Sequence, residues 1–146
     1  MDDTSRAQRW QDNAAAQRAR FADYTLDPEH TIELQPHTGS ARILWNGQVI
    51  AKSDHTLKLL ERNHDAVFYF PQSDVRLDVL ERTDHATHCP YKGDASYWTL
   101  RSDDSSADNA VWAYESPIDA VDGVKDLMAF YLDSMGQTFG LTQEIA

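Results

Sequence analysis

Hydrophobic positions follow two different rhythms along the chain. From residue 4 to residue 22 ("TSRAQRWQDNAAAQRARFA") they are sparse, and Ala7, Trp10, Ala14 and Phe21 fall on a thin helical stripe. Ala, Gln and Arg favour a helix there, and Asp3 or Thr4 can cap it. The stripe is too narrow for the centre of a core, so this helix is expected on the outside of the domain or against a second subunit. From Asp27 onward the rhythm changes to alternation. "HTIELQP" reads as a strand, and "ARILWNGQVIAKS" as a hairpin in which Asn46 and Gly47 supply a tight I′ turn. "TLKLLE" and "AVFYF" follow as strands, the second ended by Pro71. "VRLDVLE" alternates Val75, Leu77 and Val79 and reads as extended after a short turn at 72–74. "ASYWTLR" and "NAVWAYE" frame an acidic, solvated loop, "SDDSSADN".

The last element expected is a helix from Pro117 to Ser134. Ser116 would be its cap, Pro117 its first residue and Asp119 the acid of a capping box. Ile118, Val121, Leu127, Met128 and Tyr131 would form its apolar face, with Gly136 as the stop and a loosely held tail beyond. No repeat or linker divides the chain. The expectation is a mainly β, α+β protein: a small antiparallel barrel closed by a C-terminal helix. Residues 1–23 would be an N-terminal helical extension and residues 24–146 a single β-rich domain.

Composition narrows the partners. At 146 residues the chain suits one domain with a real core. The net charge of −11, with 13 Lys and Arg scattered among 24 acids, argues against nucleic acid and against an anionic membrane surface. The apolar runs are too short to span a bilayer, and the N-terminus lacks the hydrophobic region of a signal peptide. A single cysteine, Cys89, cannot form an intramolecular disulfide and suits a reducing compartment, so the cytoplasm is the expected location.

"DHATHC" gathers Asp84, His85, His88 and Cys89, all zinc-ligand types. No C-x-x-C accompanies them, and in an extended segment His85 and His88 would face opposite ways, so loop histidines beside a turn are the simpler reading. His88 and Lys92 flank Cys89 as potential activators of a thiolate, against the common role of a lone cysteine as a buried apolar residue. Motifs for serine nucleophiles and for phosphate loops are absent. What remains is a composite pocket: Lys92, Arg76 and Glu61 are charged residues in or beside strands, and Tyr69, Tyr91, Tyr97, Trp98, Trp112 and Tyr114 supply flat surface with polar tips. Trp112 and Tyr114 should share one strand face, while Tyr97 and Trp98 take opposite ones. The alternative is a structural ion pair between Glu61 and Arg76 or Lys92.

The series "HTIELQP…ARILWNGQVIAKS", "RNHDAVFYFPQSDVRLDVLE", "THCPYKGDASYW", "AVWAYESP" and "MAFYLD", from His30 to Asp133, resembles the family of domain of unknown function 427. "CPYKG" followed by "YW" is its most specific part. The resemblance implies a small β-rich fold similar to the β-tent proteins, which include methionine sulfoxide reductase B. Many of those hold zinc with two C-x-x-C pairs, which this chain lacks, so no metal or cofactor is carried over. The family has been labelled a nucleotidyltransferase. Here Gly39-Ser40 is followed by no D-x-D or D-x-E, and Asp54 stands alone. The resemblance directs attention to Arg76, Cys89, Tyr91, Lys92, Gly93, Tyr97, Trp98, Trp112 and Tyr114, and further to Glu61 and Asp74.

The expected function is therefore a site for a small anionic or planar molecule around the Cys-Pro-Tyr-Lys-Gly turn, in a binding domain or an unidentified enzyme. Arg76, Tyr91, Lys92, Trp98, Trp112 and Tyr114 would bind the ligand, and Cys89, Lys92 and Glu61 are the candidates for chemistry. The alternative is a non-enzymatic interaction module whose N-terminal helix makes a homodimer or partner contact. A cysteine-dependent redox enzyme would need an external thiol, since no resolving cysteine exists.

Overall fold

A computed structural model describes residues 3–146. Helix α1 spans Asp3–Ala19 and is followed by ten strands: β1 (Ile32–Pro36), β2 (Ala41–Trp45), β3 (Gln48–Ser53), β4 (Leu57–Glu61), β5 (Val67–Tyr69), β6 (Leu80–Cys89), β7 (Gly93–Arg101), β8 (Ser106–Tyr114), β9 (Ala129–Phe130) and β10 (Leu141–Ile145). They form three antiparallel sheets, ordered β1-β4-β5, β10-β2-β3 and β6-β7-β8-β9. The mainly β, α+β class is as the alternation predicts. The sheets do not close into a barrel; single bridges such as Phe70 to Met128 link them instead.

The Asn46-Gly47 turn is present, with both residues at positive φ (50° and 82°), as a two-residue hairpin of type I′ requires. The acidic loop is shorter than its composition suggests. Arg101 pairs with Ser106, and the Ser102 amide donates to the Ser105 carbonyl, so only 102–105 turn.

Two apolar clusters share β7 and β8. Val111 and Ala113 join Ile43, Trp45, Phe70, Leu100 and Phe130 on one side. Trp112 and Tyr114 join Leu59, Tyr69, Tyr97 and Val124 on the other. Tyr97 belongs to the second cluster and Trp98 packs on the first, as strand alternation demands.

Three further expectations fail. Pro117 to Ser134 is not a helix: a 3₁₀ segment covers Asp119–Val124, β9 follows, and a second 3₁₀ turn covers Asp133–Met135. Val121 leaves helical geometry, Asp126 sits at φ 62°, and Ser116 caps nothing. Met128, Ala129 and Phe130 are consecutively buried, a pattern that one face of a helix cannot give but a strand between two cores can. The tail is not loose, because β10 pairs with β2 along its whole length. "VRLDVLE" is not extended throughout either: Val75, Arg76 and Leu80 are, but Leu77–Val79 form a 3₁₀ turn that leaves Leu77 in solvent.

α1 lies across β6. Ala14 is fully buried there, and Phe21 approaches the His88 ring at 5.5 Å. Most of the seat is polar: Arg9 pairs with Asp84 at 2.9 Å, Asn13 donates to the Asp84 carbonyl, and Arg18 pairs with Asp94 at 2.5 Å. Thr4 lies inside the helix rather than at its cap, and the Asp3 side chain lies outside what is described. Among the described residues no helix is long and apolar enough to cross a membrane.

Candidate functional site

Lys92 is presented by a tight turn between β6 and β7. Its amide donates to the Cys89 carbonyl at 3.1 Å, and its carbonyl accepts from the Ile118 amide at 2.9 Å. Gly93 follows at φ 116°, and a Cβ there would stand 3.4 Å from the Ser116 carbonyl oxygen. The glycine thus permits both the turn and the close approach of the 116–118 segment.

Glu61 ends β4. Its Oε1 accepts from Lys92 Nζ at 2.8 Å, and its Oε2 contacts His30 Nε2 at 2.7 Å. The ion pair is well enclosed, with 14% of the Lys92 and 10% of the Glu61 side chain exposed. Burial alone would push the Glu61 carboxyl up. The Lys92 hydrogen bond and charge, the His30 hydrogen bond and the charge of His64 outweigh it and hold the group below its ordinary range. Glu61 is therefore a stable carboxylate at neutral pH.

Around this pair opens a cleft of about 500 Å³ lined by Glu61, His64, Val67, Cys89, Lys92 and Met135. Beneath it lies an aromatic layer. Lys92 Nζ sits 6.0 Å from the Tyr114 ring centre, Trp112 donates to the Tyr69 hydroxyl, and Tyr131 lies 4.4 Å from Trp112. Burial drives the hydroxyls of Tyr69, Tyr114 and Tyr131 well above the ordinary phenol range, so they act as neutral hydrogen-bonding groups and not as bases.

Of the ligand-binding candidates, Lys92 lines the cleft, Tyr114 lies under Lys92, and Trp112 is in the layer below. Tyr91 is on the outer side: its ring stacks on His30 at 4.1 Å, and its hydroxyl accepts from the Asp27 amide and bonds the Tyr24 hydroxyl at 2.7 Å. Arg76 is not brought to Lys92. Its guanidinium pairs with Asp78, and it lines another cleft with Trp45 and Ile50. Trp98 packs on the first core with Arg82 over its ring at 5.3 Å. Asp74 accepts from Ser53 at 2.6 Å.

The three candidates for chemistry, Cys89, Lys92 and Glu61, do meet in one cleft. His88 does not serve Cys89: its Nδ1 contacts Asp94 Oδ1 at 2.8 Å and its ring meets Phe21. Asp84 is engaged by Arg9 and His85 edges onto Tyr97 at 4.5 Å, so the residues of "DHATHC" have separate partners. Among the described residues no three His, Cys, Asp or Glu side chains converge as a metal site would need. "DHATHC" is part of strand β6 and not a loop.

Sequence reasoning missed His30 and His64. A signal for His30 exists: β1 and β4 pair with Ile32 opposite Glu61, and His30, two residues ahead of Ile32, lies on the same side of the extended chain and so beside the end of β4.

No curated protein matches the chain. A family-wide comparison matches residues 33–140, most of the chain, and with it the turn, Glu61 and the aromatic layer: this protein belongs to the family described as domain of unknown function DUF427.

Proposed function

We propose that the domain binds a small anionic or planar molecule in the cleft beside the Cys-Pro-Tyr-Lys-Gly turn. The observation that carries this reading is the enclosed Lys92–Glu61–His30 network at the wall of an open cleft. A charge pair removed from water costs desolvation, and it rarely repays that cost as a stability device. Here it places a cation and a carboxylate at the wall of the cleft, with the buried Tyr114 ring 6.0 Å from Lys92 Nζ, a combination suited to orienting a polar ligand. An incoming carboxylate or phosphate would share Lys92 with Glu61, which stays ionised and orients the cation. Cys89 lines the same wall as a free thiol. The dimer or partner role of the N-terminal helix gains no support, since Trp10, Ala14 and Phe21 are spent on its own β6 seat.

The test is a thermal-shift screen of nucleotides, sugar phosphates and small carboxylic acids on the wild type and on Lys92→Met. A ligand at a hundred times its Kd stabilises the native state by about 2.7 kcal/mol, a visible shift in Tm. The reading requires a hit that vanishes in Lys92→Met while circular dichroism shows an unchanged fold. Silence throughout, or a screen in which no hit is lost in that variant, overturns it.

A further inference from the structure

A second cleft, of about 350 Å³, lies between α1 and the sheet, with Arg6, Trp10, Gln11, Arg82 and Glu115 on its walls. It shares no residue with the Lys92 cleft. Arg82 is fixed at its base. It donates from Nη1 and Nη2 to Glu115 at 2.8 and 2.6 Å and from Nη2 to Ser96 at 3.1 Å, and its guanidinium lies 5.3 Å from the Trp98 ring and 5.9 Å from the Trp10 ring. Ser96 completes the coordination of Glu115 with a 2.5 Å bond.

Three donors in this small region have no acceptor: Arg6 Nη1, Trp10 Nε1 and Arg82 Nε, all of them buried. Buried N–H groups without partners are rare because their desolvation goes uncompensated. Three of the four unpartnered buried side-chain atoms among the described residues belong to residues lining this one cleft. Among the described residues that line the cleft the charges are also unbalanced, with the guanidinium groups of Arg6 and Arg82 against the one carboxylate of Glu115. A water molecule could accept one bond but would leave the extra positive charge. A group with two or more anionic oxygens answers both deficits at once. Arg6 sits near the start of α1 on a long, partly exposed side chain, and its rotation would open the donors to such a group.

We infer that the cleft between α1 and β6 is a second binding site, for a small oxyanion of the carboxylate or phosphate-monoester class, held by Arg6, Trp10 and Arg82. The inference is independent of the Lys92 site. It also gives α1 a role that a purely apolar clamp would not need, since the helix contributes two of the three donors.

Indole N–H resonances of the ¹⁵N-labelled full chain read this directly, with Trp10→Phe assigning the Trp10 signal. Inorganic phosphate and acetate are titrated separately, with chloride at matched ionic strength as the control. The Trp10 Nε1–H signal should move saturably with at least one of the two. Trp45, which donates to the Phe139 carbonyl, and Trp112, which donates to Tyr69, should stay still and so report an intact fold. Movement with phosphate alone assigns a phosphate monoester, with acetate alone a carboxylate, and with both a general oxyanion site. Arg6→Gln should weaken the response by about tenfold, the loss of one charge-assisted hydrogen bond. A Trp10 shift no larger than that in chloride, or one unchanged in Arg6→Gln, overturns the inference.

Discussion

Glu61 carries two short contacts, to Lys92 and to His30, and its carboxyl is held below the ordinary value of 4.5 despite burial. A carboxyl depressed in the folded state binds fewer protons there than in the unfolded chain. Its contribution is complete above the unfolded value near 4.5 and disappears as the pH falls through the lower folded one. Glu115 obeys the same sign: burial opposes its ionisation, and the Arg82 and Ser96 hydrogen bonds overcome it. Urea denaturation from neutral pH to below pH 4.5 should therefore show stability falling in acid for the wild type, and falling less steeply for Glu61→Gln. Equal slopes would mean that the network imposes no linkage. At this scale the sequence is a good guide to residue type and a poor one to company. Strand alternation correctly sets Trp112 and Tyr114 on one face and splits Tyr97 from Trp98. Arg76 is close to Glu61 in sequence, yet the 3₁₀ turns at Gln72–Asp74 and Leu77–Val79 carry it to a different cleft. Proximity along the chain cannot reveal that route.

At the scale of elements, α1 shows how a helix with a thin apolar stripe can still be part of the fold. Its seat consists of one buried alanine, two partly buried rings and several ion pairs and hydrogen bonds onto β6 and the start of β7. The exposed pairs contribute little each, so Ala14 is the position with no room to give. Ala14→Leu should cost about 1–3 kcal/mol by overpacking, measured by urea denaturation, whereas the same change at the exposed Ala15 should be nearly silent. Equal effects at both sites would mean that the seat is not close-packed. The polar seat also explains why β6 was hard to read. In "LERTDHATHC" the polar residues Arg82, Asp84 and His88 are satisfied by Glu115, Arg9 and Asp94, so the strand lacks the apolar alternation that marks its neighbours. The C-terminal segment misled in the opposite way. Ile118, Val121, Leu127, Met128 and Tyr131 keep a helical spacing, but Met128 packs in the first core, Val121, Leu127 and Tyr131 in the second, and Ile118 is exposed, so the chain follows the cores rather than local propensity. The Asn46-Gly47 hairpin was legible because its signal is entirely local.

For the molecule as a whole, the two apolar clusters are not two folding units, because β7 and β8 are buried on both faces and belong to both. Loss of either cluster uncovers the same two strands, and the β6-β7-β8-β9 sheet that positions the Lys92 turn goes with them. Unfolding should then be one cooperative event. Tryptophan fluorescence, with Trp45 in the first cluster and Trp112 in the second, and far-ultraviolet circular dichroism should trace coincident denaturation curves. Leu100 tests the coupling, since it is fully buried in the first cluster while its strand begins at the turn that carries Lys92. Leu100→Ala should remove about 2–5 kcal/mol and move both probes to the same lower midpoint without separating them. Two transitions in that variant would show that the second cluster, with Tyr69, Trp112 and Tyr114 beneath the cleft, stands on its own. The cleft would then be a separable scaffold instead of a surface whose rigidity depends on a core across the sheet.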